Sequence, residues 1–179
     1  MHNDFSHDYF RKTGKQLSGL KKYKYLMRDH GLRYMYYHRK VISSNKNSFV
    51  YKMLRRNLLK KYGLEILSTK IGQGLYVGHA FNITVNPDAV IGKNCNIHKG
   101  VTIGQENRGK RKGTPTIGDH VWIGANASIV GKIFIGDNVL IAPNSYVNFD
   151  VPSDSVVIGN PAKIIKNIKA TEGYINNAT

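Results

Sequence analysis

The chain has 179 residues, 41% of them hydrophobic, and a formal net charge of +16. That length supports one domain with a sizeable core. No stretch approaches the roughly 18 apolar residues that span a bilayer, and no signal peptide is apparent; a cytoplasmic protein is expected, and the single cysteine, Cys95, excludes an internal disulfide framework.

The charge is concentrated at the N-terminus. Residues 1–63 hold 16 Lys/Arg against 3 Asp/Glu, or +13, whereas residues 64–179 hold 11 against 8, or +3. The pattern in this basic, tyrosine-rich segment predicts helices over 18–29, 30–43 and 46–62. They are joined at Gly31 and by the turn SSNKN at 43–47, with Ser48 as a cap of the third. Three roles suit such a segment. It can cover the open end of a solenoid, make peripheral contact with an anionic membrane surface, or bind nucleic acid. No helix-turn-helix, zinc or RNA-recognition signature accompanies the charge, so nucleic acid is not an expected partner.

From residue 71 an aliphatic residue recurs every six positions: Ile71, Val77, Ile83; Ile91, Ile97, Ile103; Ile117, Ile123, Ile129, Ile135, Ile141, Val147. Neither a helix nor an alternating strand has this period. It is the hexapeptide pattern of a parallel β-helix, in which three hexapeptides form one triangular coil and the aliphatics share one core. The fold expected is therefore mainly β, with a short helical segment over 1–63, the β-helix over 64–166 and a C-terminal tail over 167–179. Cys95 falls at a small-residue position of the repeat and reads as core packing. The period breaks twice, between Ile83 and Ile91 and between Ile103 and Ile117, each break being read as following a complete group of three hexapeptides. The second break holds QENRGKRKGTPT (Gln105–Thr116), expected as an exposed basic loop at a corner.

Several segments carry a resemblance: Glu65-Ile66 followed by KIGQGLYVGHA (Lys70–Ala80), AVIGKNCNIHKGVTIGQ (Ala89–Gln105), TIGDHVWIGANASIVG (Thr116–Gly131) and VIGNPAKIIK (Val157–Lys166). Together they resemble the serine acetyltransferase branch of the hexapeptide-repeat acyltransferases, among its short polysaccharide-type members. The resemblance implies a left-handed β-helix and an O-acetyltransferase that takes its acetyl group from acetyl-CoA. His79 matches the family's general base, and Glu65 matches the carboxylate that orients it. An alcohol is a poor nucleophile at neutral pH, so a positioned imidazole must take its proton, and a carboxylate on the far ring nitrogen fixes the tautomer. The matching donor-site positions are Gly104, Ala125, Ala142 and Pro143, with Lys163 and Lys166 as the cationic end; the two lysines are expected to share a face. The family builds its site between neighbouring solenoids, so a homotrimer is implied.

His98 should lie near His79 in the adjacent coil, about 5 Å away if a coil rises by one strand spacing, and is a candidate acceptor contact. His120 falls on another face. Zinc would need three or four converging ligands, which this set does not supply, so no metal is expected. The family has an Asp before its catalytic His, and this chain has Gly78. The family's loop carries Arg-His before a Pro, and this chain has Gly113-Thr114 before Pro115. The loop offers Arg108, Lys110, Arg111 and Lys112 instead. A site without counter-charges suits a zwitterion poorly, so a sugar hydroxyl of a surface polysaccharide is expected as acceptor. L-serine, as in cysteine biosynthesis, is the alternative; an inert hexapeptide scaffold is a further one.

Overall fold

A computed structural model describes residues 4–43, 48–68 and 70–179. Four helices come first: α1 (Asp4–Thr13), α2 (Gly19–Arg28), α3 (His30–Ser43) and α4 (Ser48–Tyr62). Fifteen short strands follow, wound into a solenoid with three faces. Face 1 stacks β1 (Leu64–Ile66), β4 (Ile83–Val85), β7 (Thr102–Gly104), β10 (Ser128–Val130) and β13 (Tyr146–Val147). Face 2 stacks β2 (Lys70–Ile71), β5 (Val90–Ile91), β8 (Thr116–Ile117) and β11 (Phe134–Ile135). Face 3 stacks β3 (Tyr76–Gly78), β6 (Asn96–His98), β9 (Trp122–Ile123), β12 (Val139–Ile141), β14 (Ser155–Gly159) and β15 (Ala162–Lys166).

Among the described strands all pairings are parallel except β14 with β15. The aliphatics form in-register ladders: Ile71, Ile91, Ile117 and Ile135 on face 2, and Val77, Ile97, Ile123, Ile141 and Val157 on face 3. All are buried, with Cys95 among them. Burying each such side chain stabilises the fold by about 1.5–3 kcal/mol. The Cys95 thiol donates to the Gly118 carbonyl at 3.2 Å, and burial pushes it up to about 12.

Face 1 corrects the expected phasing. Its ladder runs Ile66, Val85, Ile103, Ile129, Val147, while Ile83 pairs with Leu64. The two-residue insertion therefore precedes Val85, in the corner that carries His79. It does not follow a complete coil, as the Ile83-to-Ile91 step had suggested.

The helical segment closes the solenoid's first coil. Strands β1, β2 and β3 are the edges of their faces and present unpaired peptide groups. Tyr34 meets β1, its hydroxyl donating to the Ile66 carbonyl and accepting from the Ile66 amide. Arg39 donates to the carbonyls of Ile71 and Gly72 at 2.7 and 2.6 Å. Lys12 donates to Val77 O, and Arg11 to Gly74 O. The Leu75 amide donates to Asp8, which also holds Arg39 through two bonds of 2.9 and 3.1 Å.

Helix α1 lies outside the predicted helices; among its described side chains Phe5, Asp8, Tyr9 and Arg11 are buried. The break between α2 and α3 is at Asp29, which is extended (φ −112, ψ 105), and not at Gly31. Gly31 lies within α3, and a Cβ there would come 2.6 Å from Ala80 Cβ; its role is close packing. Residues 44–47 of the predicted turn lie outside the described residues.

The Asp8–Arg39 pair is buried on both sides. Arg39→Met is expected to destabilise the protein by about 3–5 kcal/mol, since it strands a buried carboxylate. Lys169→Ala, which breaks the exposed Lys169–Glu172 pair, should change stability by no more than about 1 kcal/mol. Chemical denaturation of both variants measures the contrast.

Candidate active site

Faces 3 and 1 meet at a corner where the chain turns sharply once per coil. In the first full coil this corner is His79–Asn82, and His79 and Asn82 are left-handed, with φ 48 and 53. The corners stack through backbone bonds: Gly100 N to Phe81 O, Asn126 N to Lys99 O, and Asn144 N to Ala125 O. His79, Ala125 and Pro143 therefore share one edge of the prism. His79 is exposed on it, and Ala142, next to Pro143, is buried in a cluster with Leu140 and with Ala170 of the C-terminal tail.

The His79 corner is held from the helical side. The His30 ring stacks on Tyr62 at 4.1 Å and lies 4.7 Å from Phe81, and its Nε2 lies 2.8 Å from Ala80 O. His98 lies one coil on, with Gly78 as its register partner, and the His79 and His98 rings are 6.2 Å apart. This is the adjacency expected from the repeat.

The His98 ring fills the space above Gly78. A Cβ on residue 78 would come 2.6 Å from both Cε1 and Nδ1 of His98. On its other side His98 packs 4.8 Å from the Trp122 ring. Its Nε2 is buried without a hydrogen-bond partner among the described residues. Burial, and then His79 and Lys12, push the imidazole down to about 4, so it is neutral at pH 7.

His98 also borders a cavity of about 280 Å³ between α1, face 3 and the C-terminal tail. Its walls include Arg11, Lys12, Tyr76, Asn96, Trp122 and Tyr174, with no carboxylate among the described lining residues. These residues were not singled out from the sequence. A signal was present for three of them: Tyr76, Asn96 and Trp122 precede successive face-3 aliphatics, and their register makes one outward row.

Other candidates lie elsewhere. Glu65 is exposed in the middle of β1, with Thr84 as its register neighbour. Among the described residues no hydrogen bond or ion pair joins it to His79. Gly104 ends β7 at the corner of faces 1 and 2, and the basic loop leaves from there. That loop is ordered: Glu106 and Gly113 exchange backbone bonds, Lys132 N donates to Arg111 O, and the Arg111 guanidinium donates to Asn148 O. Arg108 and Lys110 remain exposed. Lys163 and Lys166 do not share a face, because β15 is a strand and positions three apart point to opposite sides. Lys166 is tied to Ser153 O and Asp154. His120 sits at the corner of faces 2 and 3, away from His79 and His98. Among the described residues no three His, Cys, Asp or Glu side chains converge as metal ligands would.

Fold and repeat define a class: a hexapeptide-repeat parallel β-helix, and the profile of the bacterial transferase hexapeptide family (six repeats) matches residues 114–148. Within that class the chain is homologous to serine acetyltransferases. It is 38% identical over 104 residues to the serine acetyltransferase of Synechococcus elongatus, covering 58% of this chain and 43% of that one. It is 41% identical over 105 residues to the Staphylococcus aureus protein, covering 58% and 49%. The crystal structure of Neisseria gonorrhoeae serine acetyltransferase in complex with serine superposes with a TM-score of 0.70 at 31% identity, over 90% of this chain and 66% of that one. A match over 90% of the chain takes in most of the helical segment as well as the solenoid. The chain spans about half the length of the curated relatives it matches.

Gly78→Ala should destabilise the protein by about 1–3 kcal/mol through overpacking against His98. In a His98→Ala background the same change should cost much less, so a double-mutant cycle on unfolding free energies reads the coupling. A pH effect follows from the same ring. The unfolded chain binds a proton at the ordinary value of 6.5 and the native imidazole only near 4, so stability is full above 6.5 and falls as pH drops towards 4. Buried His38, pushed down to about 3 by burial and then by Arg55 and Arg39, adds in the same direction. Thermal unfolding between pH 7 and 4 should show this loss, with a shallower slope for His98→Asn.

Proposed function

We propose that the protein is an acetyl-CoA-dependent O-acetyltransferase acting on L-serine. The observation that carries this reading is His79, exposed on the one edge of the solenoid that also bears Ala125 and Pro143, in a chain whose homologues are serine acetyltransferases. In the proposed reaction the His79 imidazole takes the hydroxyl proton as the serine oxygen attacks the thioester carbonyl. The tetrahedral intermediate collapses, the C–S bond breaks, and the imidazolium returns the proton to the departing coenzyme A thiolate. Glu65 is assigned to orient that imidazolium. Its outward place on the strand that follows the corner below His79 favours this, although no pairing with His79 forms among the described residues. Ala125, Ala142, Pro143 and Gly104 are assigned to the pantetheine arm and Lys163 to the nucleotide phosphates of coenzyme A, Lys166 being tied instead to Ser153 and Asp154.

The assembly proposed is a homotrimer. Gly104 and the basic loop stand at one corner of the prism and His79 at another, so a site that uses both takes them from neighbouring chains. This arrangement suits lateral packing of three solenoids.

A second reading, transfer to a carbohydrate hydroxyl, is favoured by one observation. The cavity beside His98 offers cations, amides and aromatic rings but no carboxylate among its described residues for a substrate ammonium. In this reading His98, Arg108, Lys110 and Arg111 contact the acceptor.

Release of coenzyme A thiol with L-serine or with a panel of sugars decides between the acceptors; L-serine is expected to turn over. His79→Ala is expected to lower kcat on the order of 10²–10⁴-fold with unchanged assembly mass, and Glu65→Gln to lower it less. Full activity of His79→Ala would remove the mechanism.

A further inference from the structure

Not all of the N-terminal positive charge serves the cap. Arg11, Lys12 and Arg39 turn inward to solenoid carbonyls, whereas helices α2 and α4, which contain no acidic residue, keep exposed basic side chains on their outer surfaces. Each of these helices repeats one arrangement. On α2 the pair Tyr23 and Met27 is 63% and 78% exposed, with Lys24 and Arg28 beside it. On α4 the pair Phe49 and Met53 is 75% and 50% exposed, with Lys52 and Arg56 beside it. Both apolar pairs are spaced i, i+4, so each forms a stripe on one helix face. The first turns of the two helices meet across α3: Lys22 Nζ lies 4.2 Å over the Tyr36 ring, and Tyr36 lies 6.2 Å from Tyr51 of α4.

We propose that this surface docks on an anionic lipid bilayer, with Phe49, Met53, Tyr23 and Met27 entering the headgroup region and the flanking basic residues meeting lipid phosphates. Charge complementarity selects this occupant. A segment of +13 is attracted to a negative surface potential, and exposed apolar side chains flanked by Lys and Arg are what an interfacial helix needs. A second copy of the chain would set two such segments against each other. A nucleic acid would satisfy the charge but leave Met27, Phe49 and Met53 without apolar surroundings. No helix among the described residues is long and apolar enough to cross a membrane, so the contact is peripheral.

The test is co-sedimentation of the full chain with vesicles of phosphatidylcholine alone or mixed with phosphatidylglycerol, at low and high salt. Binding is expected only with phosphatidylglycerol, weakening as salt rises. The exposed double variants Phe49→Ser/Met53→Ser and Lys52→Glu/Arg56→Glu should each lower the vesicle partition coefficient on the order of tenfold. Thiol release by both variants in the absence of vesicles should stay unchanged. Absence of binding to phosphatidylglycerol vesicles at low salt would overturn the proposal. So would undiminished binding by the Phe49→Ser/Met53→Ser variant, which would leave charge alone, or a fall in assembly mass in that variant, which would place the face between copies.

Discussion

A parallel solenoid has to end, and the peptide groups of its terminal coil then have no strand to pair with. In this protein a layer of donor side chains meets that constraint. Tyr34, Arg39, Arg11 and Lys12 bond carbonyls along the three edge strands, and Asp8 takes the amide that points the other way. An edge rich in carbonyls is best answered by long cationic donors, which explains part of the basic composition of the helical segment. The same contacts hold the helices close to the His79 corner, so end-capping and site construction depend on one set of residues.

Much of this architecture was legible in the sequence, because a single core running through stacked triangles needs an inward aliphatic at every sixth place. The adjacency of His79 and His98 follows from that count alone. The count misplaced one insertion, because Ile83 and Val85 are both aliphatic and both buried, and only pairing with Leu64 and Ile66 distinguishes them. Helix α1 was not legible, since Asp8 and Arg11 are buried by partners distant in sequence, Arg39 and Leu75 for the one and Gly74 for the other. Gly31 looked like a hinge because the helix's approach to Ala80 is a tertiary fact. Lys163 and Lys166, three apart after Pro161, would share a face on a helical turn, and the antiparallel final strand separates them.

The candidate site sits where the repeat is least constrained. Along each face the side chains alternate between a crowded core and an outer row, and substitution inward is limited by the ladders. The corners carry no such obligation, and their left-handed positions accept Asn, Gly or His. Insertions accumulate there, one widening the turn at His79 and another producing the ordered basic loop. The two lie on different edges of the prism.

The two ends of the solenoid also differ in kind. One is covered by helices, and on face 3 the other is closed by β15, which runs against the strands below it. A reversed final strand cannot template another parallel coil, and a helix-covered edge cannot receive one. Head-to-tail polymerisation, the natural hazard of a molecule built from repeating coils, is therefore disfavoured at both termini of the stack.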